Sequence, residues 1–251
     1  MVINLAFSIF ILFCILENSN PIEYKGSFAE LGEFPYVVLL LINKGMSCTG
    51  GLLEPAWIVT AAHCVVDKQN KKFIPEDITL EKPFEMNNCV NIIEMAGDEW
   101  PYKDGGEYRS CIAAGFGDLG KTKSNTKLKK MNVKALHGEK SCPCTRRYQQ
   151  KRLVCLKPEE GCGVCHGDSG GVLACNNKAV GVAHVILDKR QCSALEVPEN
   201  FDCLKETTVS FFIFTCPLND WMRQYVSSVP PTPESCHSLT IKSCKRIIFI
   251  T

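Results

Sequence analysis

The sequence predicts an all-β protein, and three observations carry that reading. Short stretches rich in β-branched and aromatic residues recur along the chain, separated by Gly, Pro, Asn and Asp. Met131, Val133 and Ala135 alternate with Asn132 and Lys134, the period of a half-buried strand. After the N-terminus there is no second long apolar run and no internal repeat. Together these favour an antiparallel barrel or sandwich over an α/β fold.

Taken in order, Val2 to Leu16 is nearly all apolar and ends at Glu17-Asn18-Ser19-Asn20-Pro21. A run of about 15 residues suits a cleaved signal better than a membrane span of roughly 20, although no Lys or Arg precedes Lys25. Residues 1–20 are therefore expected to be a signal peptide, cut near Ser19 to Pro21. Strands are expected at Tyr36 to Ile42, Trp57 to Thr60, Ile112 to Ala114, Met131 to Ala135, Val172 to Ala174, Ala179 to Ile186 and Val209 to Phe214. Leu218 to Val226 is expected as a short terminal helix closing a 21–226 domain. Pro230-Pro231-Thr232-Pro233 marks a linker, and the tail 227–251 holds Cys236 and Cys244, which could close a small loop.

Composition narrows the class. A chain of 251 residues suits one large β domain or two small ones sharing a core. A formal net charge of +1 gives no reason to expect nucleic-acid binding. Sixteen cysteines point to an oxidising compartment and secretion. Loss of Cys14 with the signal leaves an odd number, hence a free thiol or an intermolecular bridge. The six lysines from Lys121 to Lys134 read as a solvated loop and strand face. His137, His184 and His237 carry no signature of their own.

Two motifs carry chemistry. One is Thr60-Ala61-Ala62-His63-Cys64 after Trp57-Ile58-Val59; the other is Gly167-Asp168-Ser169-Gly170-Gly171. A serine hydroxyl is a weak nucleophile until a base takes its proton, and imidazole suits neutral pH. Glycines beside Ser169 allow a tight turn that exposes the Gly167 and Ser169 N–H groups to an oxyanion. In this order, and with Gly32-Glu33-Phe34-Pro35-Tyr36, Cys48-Thr49-Gly50-Gly51, Cys111-Ile112-Ala113-Ala114-Gly115-Phe116-Gly117 and Asp220-Trp221-Met222, the motifs resemble the trypsin/chymotrypsin family of serine proteases over roughly residues 22 to 226.

That resemblance implies two antiparallel six-stranded barrels of the chymotrypsin-like kind, and a catalytic set of His63, Ser169 and a carboxylate. In the chymotrypsin triad the base and acid lie about 45 residues apart, and the acid and serine about 93. Asp77 fits the distance to Ser169 but lies close after His63, so about 31 residues are missing and the first barrel is expected to be truncated. Asp77-Ile78-Thr79-Leu80 resembles the family's stretch around its acid; anchoring instead on Leu80-Glu81-Lys82-Pro83 would put Ile74 there. Asp77 is preferred because the role needs a carboxylate on His63.

Other expectations rest on the same resemblance. It implies disulfides Cys48–Cys64, Cys111–Cys175 and Cys165–Cys192, with Cys155 joined to Cys142 or Cys144. Asp168 would pair with the ammonium of an N-terminus freed by cleavage, here at Ile22, yet no Lys or Arg precedes Ile22. The substrate pocket falls on Gly163, His184, Val185 and Ile186. Gly163 stands where trypsins have Asp, and Ile186 where the family leaves an open Gly, so small residues are expected before the scissile bond. Cys162-Gly163-Val164-Cys165-His166 has the form of a haem attachment site, but Cys165 and His166 occupy the family's Cys-Gln; no cofactor or metal is expected. Two functions from different classes follow. One is a secreted serine endopeptidase with protein or peptide substrates and protein inhibitors as partners. The other is a homologue that keeps the fold and binds without cutting.

Overall fold

The computed structural model describes residues 24–42, 46–66, 80, 82–97, 100, 108–118, 127–137, 142, 153–192, 201–237 and 247–250. The expected signal peptide, Ile22, Asp77 and Cys144 lie outside them. The strands are β1 (Ser27–Phe28), β2 (Val37–Ile42), β3 (Met46–Glu54), β4 (Trp57–Ala61), β5 (Glu94–Met95), β6 (Arg109–Gly115), β7 (Lys129–His137), β8 (Leu153–Leu156), β9 (Val172–Cys175), β10 (Lys178–Asp188), β11 (Thr208–Phe214) and β12 (Ile247–Ile250).

The alternation at Met131 to Ala135 runs on in both directions. In β7, residues 129, 131, 133, 135 and 137 are all buried while their neighbours are more exposed. β7 pairs with β6, β6 with β9, β9 with β10, β10 with β11 and β11 with β8; β8 returns to β7, closing a six-stranded barrel. Asn176 and Asn177 both take positive φ (51° and 59°) in the two-residue β9–β10 hairpin, a turn that suits the twist of its strands. β11 is buried along its whole length, which explains its unbroken apolar run Phe211-Phe212-Ile213-Phe214.

Among the described residues, the first sheet has the order β12-β4-β3-β2, and its edge strands β12 and β2 do not pair with each other. Its core-side residues Leu53 and Val59 join Val172, Val182, Phe211 and Ile213 in one cluster between the sheets. Strand β3 was not legible, because Gly50-Gly51 reads as a turn. Both glycines have a packing cause: a Cβ at Gly50 would meet Ile58 Cγ2 at 2.7 Å, and one at Gly51 would meet Val172 Cγ1 at 2.6 Å.

The C-terminal region departs from expectation. The helix is one turn, Asn219–Met222, after a 3-10 turn Cys216–Leu218. The proline stretch is docked: Asp220 N donates to Thr232 Oγ1 and Thr232 N to Asp220 Oδ1, both at 2.9 Å. Cys236 bonds Cys216, where a loop with Cys244 was expected. Beyond it, β12 adds to the edge of β4, with Ile247 opposite Ala61 and Ile250 opposite Ile58.

Candidate active site

The loop before β9 is shaped by its own backbone. Asp168 N donates to Cys165 O (3.1 Å), Cys165 N to Asp168 Oδ2 (2.9 Å), and Gly171 N to Asp168 O (2.9 Å). Gly167 and Gly170 take φ of +98° and +87°, a region that favours glycine. At Gly170 a Cβ would also strike Thr60 Oγ1 at 2.0 Å and Thr49 O at 2.3 Å. Gly170 N donates to Ala183 O (2.9 Å) and Ala183 N to Gly171 O (2.8 Å), fixing the loop to β10 one residue before His184.

The first sheet holds the loop from the other side. Thr49 N, in β3, donates to Ser169 O (2.9 Å), and Thr49 Oγ1 donates to Gly167 O (2.8 Å) while accepting from Phe116 N (3.2 Å). β4 leads into the 3-10 turn Ala62–Cys64 that carries His63, and Cys64 is bonded to Cys48 beside Thr49. The His63 and His184 rings lie 5.8 Å apart and tilted by 45°. The serine loop, the His63 turn and the start of the His184–Ile186 stretch therefore meet at the junction of the two sheets. Thr49 belongs to a motif read from the sequence, but its bridging role was not legible there.

The residues expected to line the substrate pocket lie along the neighbouring wall. Gly163 is buried, and a Cβ there would meet Cys203 O at 2.4 Å. Ile186 packs with Cys165, Cys203, Leu204 and Tyr24, whereas Val185 is exposed. Cys165 is bonded to Cys203, where the family pattern implied Cys192; Cys203 sits in the loop before β11, packed under the same wall. Cys192 is disulfide-bonded as well. The remaining bonds described are Cys111–Cys175 and Cys142–Cys155, and Cys89 and Cys162 carry free thiols. The ligand atoms of Asp118, Cys165 and Cys203 lie within 4.8 Å of one another, but both sulfurs are spent in a disulfide and offer no thiolate to a metal.

Behind the serine, the Asp168 carboxylate accepts from Gly117 N at 2.7 Å as well as from Cys165 N. Burial pushes its pKa up to about 6, against the pull of those two amides and of Lys129. Lys129 is 5% exposed, which corrects its assignment to a solvated face. Its Nζ donates to Gly117 O. Burial lowers the Lys129 pKa, while Asp168 and Asp118 act to raise it.

A structure of neuropsin, a serine protease expressed in the limbic system of mouse brain, matches 80% of this chain and 98% of its own length, with a TM-score of 0.60 and 20% identity. The fold is thus that of the chymotrypsin-like serine proteases. The chain belongs to the trypsin family, whose sequence model matches residues 24–77 and 76–202. It is 24% identical over 250 residues to snake venom serine protease KN3 of Trimeresurus stejnegeri, covering 80% of this chain and 93% of that protein. It is 23% identical over 195 residues to serine protease SP24D of Anopheles gambiae, covering 65% and 71%.

Proposed function

We propose that this protein is a secreted serine endopeptidase working through an acyl-enzyme. The observation that carries the reading is the Ser169 loop, held by β3 on one side and β10 on the other, beside a His63 turn tied to β3 by a disulfide. Such pre-set geometry is what nucleophilic catalysis needs. His63 takes the Ser169 Oγ proton as the oxygen attacks the substrate carbonyl. The Gly167 and Ser169 N–H groups receive the oxyanion. His63 then gives its proton to the leaving amine, and water releases the acyl group by the same steps in reverse. Asp77 is the residue assigned to orient His63.

Substrate would lie along β10. β9 covers β10 only as far as Val182, and from His184 onward β11 is its sole strand partner among the described residues. A peptide can add there as a further strand using main-chain groups. Gly163 without a carboxylate and Ile186 packed into the wall favour small residues before the scissile bond over Lys or Arg. Secretion is supported by the apolar N-terminal run and by five disulfides among the described residues.

The first sheet, which does not close among the described residues, favours the second reading, a homologue that binds without cutting. A fluorophosphonate probe separates the two. Labelling of the folded protein that disappears in Ser169→Ala is the expected result; absence of labelling in wild type would establish the binding homologue instead.

A further inference from the structure

Among the six lysines from Lys121 to Lys134, Lys129 occupies a singular place. Its neighbour Lys130 points outward and pairs with Glu33. Lys129 falls on the inward face of β7 with Met131, Val133 and Ala135, so the strand itself carries its ammonium under the serine loop. There both backbone groups of Gly117 are bonded: its N–H donates to Asp168 Oδ1, and its carbonyl accepts from Lys129 Nζ.

The fit around Asp168 is close. A Cβ at Gly115 would lie 2.2 Å from Asp168 Oδ1, and one at Gly117 2.2 Å from Oδ2. A carboxylate packed this tightly needs a compensating charge as well as hydrogen bonds, because removal from water disfavours its ionised form. Asp118 is the acid that shares the Lys129 charge with it.

We propose that Lys129 is the built-in counter-ion of Asp168, acting across the Gly117 backbone, and that it holds the serine loop in its working shape without a freed N-terminal ammonium. Lys129 is thus a positioning residue one place behind the nucleophile. This rests on the serine hydrolase reading for its consequence, though not for the pairing itself. It also accounts for a chain in which no basic residue precedes Ile22.

The test uses two forms of the protein, one with Ile22 freed and one with a ten-residue extension retained ahead of it. Fluorophosphonate labelling of wild type should agree within twofold between the forms. In Lys129→Met it should fall at least tenfold in the extended form and far less in the freed form, a dependence that a merely structural residue would not create. Lys129→Gln keeps a donor for the Gly117 carbonyl without the charge, and should behave as Lys129→Met. The proposal is overturned if extended wild type labels at least tenfold more slowly than the freed form, or if Lys129→Gln matches wild type in both.

Melting curves read the pairing separately. The melting-temperature loss of Lys129→Met with Asp168→Asn should be clearly less than the sum of the single losses. Additive losses overturn the counter-ion. Coupled losses in a wild-type protein that never labels would sustain the counter-ion and sink the hydrolase reading.

Discussion

Thr49 shows how much one side chain contributes to the candidate site. Its hydroxyl donates to Gly167 O and accepts from Phe116 N, while its own N–H and carbonyl engage Ser169 and Thr60. Thr49→Val keeps the volume and the strand propensity but leaves those two partners unsatisfied, at a cost of about 1–3 kcal/mol. The expected outcome is a folded protein with a lower melting temperature and slower probe labelling at Ser169. Unchanged labelling would mean that the loop is held without this bridge. At this scale, His63 and Ser169 became the candidates because short motifs mark them. Lys129 was legible in principle from the alternation of its strand, yet clustering with five other lysines made it read as surface. The Cys165–Cys203 bond was not legible, since pairing depends on which loop folds beneath the wall.

Among the elements, β12 matters most for the first sheet. Without it, β4 would present an unpaired edge beside the His63 turn. Deletion of residues 238–251 leaves the Cys216–Cys236 bond in place and removes only this strand and the chain leading to it. The melting temperature should fall by about 5 °C or more, and the amides of β4 should exchange faster in hydrogen-exchange measurements. No change in either would show that the strand is dispensable. Most strands were legible from β-branched and aromatic runs, usually short of their true ends by a residue or two. β1, β3, β5, β8 and β12 were not: the first and third are two residues each and β8 only four, glycines hide β3, and β12 has meaning only through its partner.

For the molecule as a whole, two sheets of unequal completeness share one core, and disulfides fasten its loops. Charge also contributes. Asp188, at the end of β10, is fully buried and accepts from Arg190 Nε, Nη2 and backbone N, and from Thr207 Oγ1. The Arg190 guanidinium holds its carboxyl well below the usual range. With a pKa lower in the folded than in the unfolded chain, its contribution is present above the ordinary value of about 3.9 and is lost as pH falls below it. Melting temperature should therefore drop more steeply below about pH 4 in wild type than in Asp188→Asn. Parallel acid limbs would show that this pair does not govern acid stability.

The sequence by itself determined the all-β class and the family, and it marked His63 and Ser169 as the candidate residues. Those depend on local periodicity and on short contiguous motifs. Only the tertiary structure decided that Cys203 bonds Cys165 beside Gly163 and Ile186, that Lys129 lies under the serine loop, and that the tail supplies a strand to the first sheet. Each of those is a contact between segments far apart in the chain, and local patterning carries no information about which distant partner a side chain or a strand edge will meet.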